Sequence, residues 1–324
     1  MNVLVTGGAG YIGSHFVKFL LKKNVNVSVI DNLGRGHAEA VPDAVEFNKI
    51  DLLDFNRLSG YLSHKRFDAV VHFAAFAYVG ESVENPALYY TNNVVGSLNL
   101  LKAAVKTGIK KIIFSSTCSV YGNPLEVPIS EDEPTKPINP YAESKLVIEK
   151  ILRDFETAYG LKYVALRYFN AAGADPEGDT GESHDPEPHL IPLVLQTALG
   201  KRDKIYIFGD DYDTPDGTCI RDYIHVNDLA KAHYLALNYL SENKKSEIFN
   251  LGTGKGNSVK EIIDTAAKVT GKEIKSEITG RRPGDPAVLV ADNSKAKKVL
   301  GWQPEFHLED IISTAYNWHR NPKF

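Results

Sequence analysis

The sequence predicts an α/β protein: a doubly wound parallel sheet of the Rossmann type, followed by a smaller α/β domain. Three observations predict it. Short apolar runs alternate with helical patterns through the first half of the chain. A glycine-rich turn joins the first run to the first helix. An acidic residue closes the second run. Strands separated by helices of this length imply right-handed βαβ units and a parallel sheet.

Each element has its own signal. Asn2–Thr6 is a short apolar run and reads as a strand. Ile12–Lys23 carries Ile12, Phe16, Phe19 and Leu20 at helical spacing. Val25–Ile30 alternates and ends at Asp31; Val45–Ile50 is a third strand. Ala69–Ala74 is apolar almost throughout, as a strand covered on both faces is. Ile112–Ser115 and Tyr163–Tyr168 are the fifth and sixth. Helical patterns fill Phe55–Ser63, Pro86–Lys106 and Tyr141–Tyr159. The stretch Asn170–Pro188 is rich in Gly, Pro, Asp and Glu and reads as loop. Beyond it, Leu190–Leu199, Val226–Leu240, Val259–Val269 and Ile311–Trp318 read as helices. Ile205–Phe208, Ile248–Leu251 and Val288–Ala291 read as strands. This organisation suggests a first domain over 1–169 and a second over 170–324, with segments of about 219–251 packing back on the first.

Composition narrows the function. The chain has 324 residues, 43% of them hydrophobic, with 37 basic and 41 acidic residues and a net charge of −4. No overall field favours DNA, RNA or anionic lipid, so a nucleic-acid or membrane partner is not expected. The cysteines, Cys118 and Cys219, are too few for a disulfide framework and suit a reducing cytoplasm. The N-terminus has no basic stretch of the kind a signal peptide opens with. The longest apolar run, Ala69–Val79, is too short to span a bilayer and contains His72.

Gly7, Gly10 and Gly13 follow the first strand and open the first helix. Glycine lets the backbone turn sharply and approach a pyrophosphate, and the helix N-terminus at Tyr11 and Ile12 offers N–H groups to it. Asp31, at the end of the second strand, can accept hydrogen bonds from both adenosine ribose hydroxyls and would repel a 2′-phosphate. NAD is therefore expected over NADP. Tyr141 and Lys145 form Y-x-x-x-K, which puts both on one helix face. A free tyrosine has a pKa of about 10, and a nearby ammonium is expected to lower it. Thr117, at the end of the fifth strand, offers a hydroxyl to orient a substrate oxygen.

At this point the chain resembles a known family. Gly7–Gly13, Asp31, Asp51-Leu52, Phe73-Ala74-Ala75, Asn92, Ser115-Ser116-Thr117 and Tyr141–Lys145 resemble the extended short-chain dehydrogenase/reductases. Leu166–Asn170, Gly217–Val226 and Arg281–Asp285 are similar to the UDP-glucose 4-epimerases among them. The resemblance implies tightly held NAD, contacted also by Asn32, Asp51, Leu52, Phe73, Ala74, Ala75, Asn92 and Phe169. It implies Tyr141 as the base on the sugar 4-hydroxyl, hydride transfer from C4 to the nicotinamide, rotation of the 4-keto sugar, and return of the hydride to its other face. It also implies a UDP-sugar site: Arg221 and Arg282 at the pyrophosphate, Asn170 at the phosphate end, His189, Leu190, Tyr206 and Phe208 around the uracil, and Asp285 at its ribose. Tyr223 supports this site and Leu289 gates sugar size. A homodimer through Pro86–Lys106 and Tyr141–Tyr159 is expected as well.

Departures from the pattern are Ala77, where some members carry a lysine near the cofactor, and His189, where an asparagine is common. Epimerisation of another UDP-sugar is the alternative: N-acetylglucosamine, xylose/arabinose or a uronate. A dehydratase would want an Asp-Glu pair after the threonine, and Cys118-Ser119 stands there instead. His184 and His189, among Glu182, Asp185 and Glu187, are too loosely spaced in a Pro-rich loop to be expected to bind a metal.

Overall fold

A computed structural model describes residues 1–242, 244–282 and 285–324. The chain divides into two compact units. The first comprises Met1–Gly122, Pro134–Arg167 and Ala230–Phe249. The second comprises Asn123–Glu133, Tyr168–Leu229 and Asn250–Phe324.

The first unit is built on a seven-stranded sheet. From one edge its order is Glu247–Leu251, Lys162–Tyr168, Lys111–Thr117, Ala69–His72, Asn2–Thr6, Asn26–Asp31 and Glu46–Lys49. The first strand pairs in parallel with both the second and the fourth, Val5 lying opposite Val29 on one side and Val71 on the other. The winding therefore reverses between Asn2–Thr6 and Ala69–His72. In such sheets ligands bind outside the carboxyl ends of the strands at that reversal. The strands are apolar because both faces are covered: Val3, Leu4, Val5, Val70 and Val71 are fully buried. The polar residues at the carboxyl ends are buried too, but satisfied. Thr6 Oγ1 lies 2.6 Å from His72 Nδ1, and His72 Nε2 lies 2.7 Å from Ser97 Oγ. Burial, reinforced by the charge of Lys145, pushes His72 down to about 3, so it is neutral.

Two features depart from the sequence pattern in this unit. Pro86–Lys106 is not one uniform helix: Pro86–Tyr89 and Gly96–Lys106 are α-helical, and Tyr90–Val95 between them is a π-helix. Widened turns of this kind occur frequently at functional sites, and this one contains Asn92 and Asn93. The short helix Val79–Glu84, of which only Ser82 is buried, has no periodic apolar face to announce it.

The second unit pairs short strands around a helical core. Tyr223–His225 lies parallel to Asn170–Ala172, so the predicted loop 170–188 begins as a strand. Ile220–Arg221 lies between Asn257–Ser258 and Val288–Leu289. Ile205–Phe208 pairs with Ser276–Thr279, whose four residues are all exposed. Ile191, Val194, Leu195, Ile262, Ile263, Ile311 and Ile312 form the core. They are the apolar faces of Leu190–Ala198, Val259–Thr270 and Leu308–Arg320.

Candidate active site

The glycine turn sits at the reversal point of the sheet. Gly7 has φ +72°, donates its N–H to Ile30 O at 2.9 Å, and leaves no room for a side chain: a Cβ there would lie 2.5 Å from Ala74 N. Gly13 is packed against the same turn, and a Cβ on it would lie 2.1 Å from Gly7 O. Gly10 differs, since a Cβ there would meet only Gly7 O, at 3.4 Å. Gly10 is the N-cap of the helix Tyr11–Lys22, with no side-chain cap and no acidic residue in its first turn. The positive end of the helix dipole is left for an external anion.

A concavity opens over this turn. It is lined by Gly7, Gly10, Asp31, Asn32, Asp51 and Leu52 and, from the other side, by Phe73, Ala74, Ala75 and Asn92. All ten are predicted cofactor residues. Ile30, Gly36, Ile50 and Phe76 line it as well and had no sequence signal as cofactor contacts, and so does Arg35, which the sequence offers as a residue near the adenine. Tyr11, Ile12 and Gly13 follow in the first helical turn.

Asp31 is buried. Its Oδ2 accepts the N–H of Ala9 at 3.1 Å and its Oδ1 that of Leu33 at 2.8 Å. Burial raises its carboxyl above the ordinary range, and those N–H bonds pull it back. Asn32 donates to Asp51 Oδ2 at 3.0 Å, and Asp51 Oδ1 accepts from Leu53 N at 2.8 Å. Arg35 is held by Glu81 at 2.5 Å, with its guanidinium 4.7 Å from the centre of the Tyr78 ring. From the π-helix, Asn93 donates to Phe76 O and to Ser144 Oγ, both at 3.0 Å, tying the rim of the concavity to the helix Pro140–Tyr159. Asn92 donates to Asn93 Oδ1 at 3.0 Å. Asn93 went unnoticed in the sequence because a buried amide beside an expected contact residue has no signature of its own.

That helix carries the second half of the chemistry. Asn139 caps it by accepting Ala142 N at 2.9 Å, and Pro140 fits its first turn. Tyr141 therefore stands at the helix start, with Lys145 one turn on. The Thr117 hydroxyl lies beside the Tyr141 phenol and donates to Ser119 Oγ at 3.2 Å. Lys145 Nζ donates to Ser115 O at 2.8 Å and lies 5.0 Å from the centre of the Phe114 ring. The structure thus gathers Thr117, Tyr141 and Lys145 at the carboxyl end of the strand Lys111–Thr117.

Their electrostatics correct one expectation. Lys145 does not bring the Tyr141 phenol below its ordinary value. Burial pushes Tyr141 up to about 12, and the neighbouring Thr117 hydroxyl opposes this. Burial also pulls Lys145 down to about 7, opposed by Glu149 one helical turn further on. The protein alone therefore holds Tyr141 protonated and keeps the charge on Lys145 marginal. Glu149 is itself locked. It accepts Arg167 Nε at 3.0 Å, Arg167 Nη2 at 2.6 Å and Ser116 Oγ at 2.6 Å, and Arg167 Nη1 donates to Tyr121 OH at 3.0 Å.

The residues expected to face a sugar nucleotide lie in the second unit. Arg221 Nη2 pairs with Asp285 Oδ1 at 2.7 Å, and Leu289 is the register partner of Arg221. The Arg282 guanidinium lies 3.9 Å from the centre of the Phe208 ring, a stacking contact that leaves its donors for an anion. Asn170 is the register partner of Tyr223, which is buried. Phe169 is buried and donates its N–H to Leu251 O at 3.1 Å. Tyr206 is exposed on Ile205–Phe208, opposite Glu277. His189 is the N-cap residue of the helix that begins at Leu190, and its ring is engaged by Glu182 at 2.5 Å. Pro283 and Gly284, part of the Arg281–Asp285 pattern, lie outside the described residues.

Known proteins share this fold. The profile of the NAD dependent epimerase/dehydratase family matches residues 3–252. The chain is 55% identical over 321 residues to a UDP-glucose 4-epimerase of Halalkalibacterium halodurans, covering 99% of this chain and 96% of that protein. It superposes with TM-score 0.95 on a UDP-glucose 4-epimerase from Brucella ovis solved in complex with NAD, at 50% identity and with 97% of each chain covered. A UDP-glucose 4-epimerase from Bifidobacterium longum, solved with NAD+ and UDP, superposes with TM-score 0.94 at 43% identity over 99% of each chain.

Proposed function

This chain belongs to the NAD dependent epimerase/dehydratase family and, within it, to the UDP-glucose 4-epimerases, and from that membership we infer that it interconverts UDP-glucose and UDP-galactose with resident NAD. One observation in the structure carries the reading. Tyr141 beside Thr117, with Lys145 one turn away on the same helix, lies in the same unit as the glycine cradle.

The cradle fits NAD. The uncapped helix at Gly10 suits a pyrophosphate, and the space at Gly10 suits its close approach. Buried Asp31 suits ribose hydroxyls and disfavours a 2′-phosphate. Arg35, on the same concavity, is committed to Glu81. When bound, NAD accepts a hydride and returns it, so no net redox occurs.

The protein's own residues supply the proton chemistry. Thr117 and Tyr141 would hold the sugar 4-oxygen between two hydroxyls. Tyr141 would take the proton as the alcohol becomes a ketone and return it afterwards. Burial holds the phenol up at about 12, so it becomes a base only when positive charge enters the site. Lys145 would supply part of that charge, and the rest would come with the bound cofactor in its oxidised form. Base strength is thereby coupled to the oxidised cofactor. In the second unit, Arg221 and Arg282 would hold the pyrophosphate, Phe208 and Leu190 the uracil, and Asp285 its ribose. These contacts would anchor UDP while the keto sugar turns.

The same reading extends to a homodimer working in galactose metabolism in the cytoplasm. Exposed Val79, Val83, Tyr90 and Val95, on or just before Pro86–Lys106, would supply apolar surface for such a dimer. Among the described residues no helix is long and apolar enough to cross a membrane. The test is direct: purified protein should carry NAD and interconvert the two UDP-hexoses without added cofactor, followed by product NMR. Stoichiometric NADH release would refute the epimerase reading.

A further inference from the structure

We propose that Glu182, His184, Glu187 and His189 form a binding site for one divalent transition-metal ion of the zinc class, apart from the NAD cradle and from Thr117, Tyr141 and Lys145, and bordering the expected uracil contacts at His189. The four residues fall within eight positions of the loop leading into the helix Leu190–Ala198. Each offers one ligand atom, and these atoms lie within 4.8 Å of one another.

Most of the histidine–carboxylate spacings are near those of a coordination shell. His184 Nδ1 lies 3.2 Å from Glu182 Oε1 and 3.6 Å from Glu187 Oε1. His189 Nδ1 lies 2.5 Å from Glu182 Oε1 and 3.3 Å from Glu187 Oε1. An ion held tetrahedrally at about 2.0–2.2 Å separates its ligand atoms by about 3.3–3.6 Å. Three of these four histidine–carboxylate separations are already there or within a tenth of an ångström, and the two remaining pairs, His184 with His189 and Glu182 with Glu187, lie within 4.8 Å. The fourth histidine–carboxylate contact is a hydrogen bond that must open by about 1 Å, a small rotation of the half-exposed His189 ring.

The chemistry selects the ion. Two imidazoles with two carboxylates suit Zn2+, and Co2+ and Ni2+ after it; Ca2+ and Mg2+ prefer all-oxygen shells. Two carboxylates and a divalent cation are also neutral together, which matters because the Glu182 and Glu187 side chains are only 4% and 5% exposed. The loop is firmly held. Trp318 Nε1 donates to Glu182 O at 2.8 Å, and a Cβ on Gly181 would lie 2.3 Å from the indole. With all four ligands from the protein, the site is structural: the ion pins the Gly/Pro-rich loop to the start of the helix.

The experiment uses the purified full-length, NAD-loaded protein, stripped with a chelator and titrated with Zn2+ and with Co2+. We expect one ion per chain, a rise in Tm with Zn2+, and the intense visible bands of tetrahedral Co2+. His184→Gln and Glu187→Gln should each weaken Zn2+ binding by at least about 100-fold, since loss of even outer hydrogen-bond partners of a metal ligand costs about 10–100-fold. Glu177→Gln, in the separate all-acidic group Asp175, Glu177 and Asp179, should leave binding intact. The proposal is overturned by the absence of saturable binding, by a weak octahedral Co2+ spectrum, or by affinity that survives His184→Gln and falls with Glu177→Gln. Should a variant fail to fold, the Co2+ spectrum of the unaltered protein decides.

Discussion

Gly10 and Gly13 serve the same turn, yet their substitutions should separate binding from folding. At Gly13 a methyl would lie 2.1 Å from Gly7 O, 2.9 Å from Gly7 C and 2.9 Å from Gly8 Cα. All three are backbone atoms, so the turn itself must move. Overpacking of this kind costs about 1–3 kcal/mol, and the shifted cradle loses its ligand too. At Gly10 the backbone is extended, with φ −83°, which alanine adopts freely, and the methyl meets only Gly7 O at 3.4 Å. Gly10→Ala should therefore keep its Tm. The methyl instead fills the space a pyrophosphate needs to reach the helix N-terminus. Losing one charge-assisted N–H bond costs about 1.5–3 kcal/mol, or roughly 10–100-fold in NAD affinity. The assay pairs thermal unfolding of the NAD-free proteins with calorimetric titration of NAD. Wild-type NAD affinity in Gly10→Ala would refute the placement of the pyrophosphate at this turn. An unchanged Tm in Gly13→Ala would refute the packing argument.

Other outcomes follow from the same structure. Tyr141→Phe should lower turnover by roughly 10²–10⁴-fold, the range for a lost general base, while NAD content of the purified protein changes little. Lys145→Met should stabilise the NAD-free protein at pH 6, because burying a charged lysine is costly. The unfolded chain keeps that proton up to about 10.5 while the folded chain releases it near 7, so wild-type stability rises with pH across that window and the advantage of the variant shrinks by about 3 kcal/mol between pH 6 and pH 9. Denaturant titrations of both proteins at pH 6 and pH 9 measure this, and a constant difference would contradict it. Glu149→Ala leaves the Arg167 guanidinium buried without its bidentate partner and should cost about 3–5 kcal/mol of stability, read from the denaturation midpoint.

How much of this could be read from the chain depends on the range of the interaction involved. The sheet was legible because coverage on both faces makes each strand a run of apolar residues, and Ala69–His72 is buried at all four positions. The glycine turn was legible because backbone contacts below 3 Å at Gly7 and Gly13 admit only glycine, so the constraint is written in the residue type there. Ser276–Thr279 was not, since four exposed residues held by one neighbour carry no alternation. The π-helical stretch Tyr90–Val95 was not either, because six residues are too few to tell its period from that of an α-helix. Glu149 was hidden for a different reason. Its partners Ser116 and Arg167 are 33 and 18 residues away, and on its own helix it reads as one more surface glutamate. The chemistry of Tyr141 lies at the far end of this scale. Spacing put Lys145 on its face, but only burial shows that the lysine is itself held near 7 and cannot alone make the phenol a base. A sequence motif specifies which groups meet, and the dielectric around them, set by the whole packed unit, decides what charge they carry when they do.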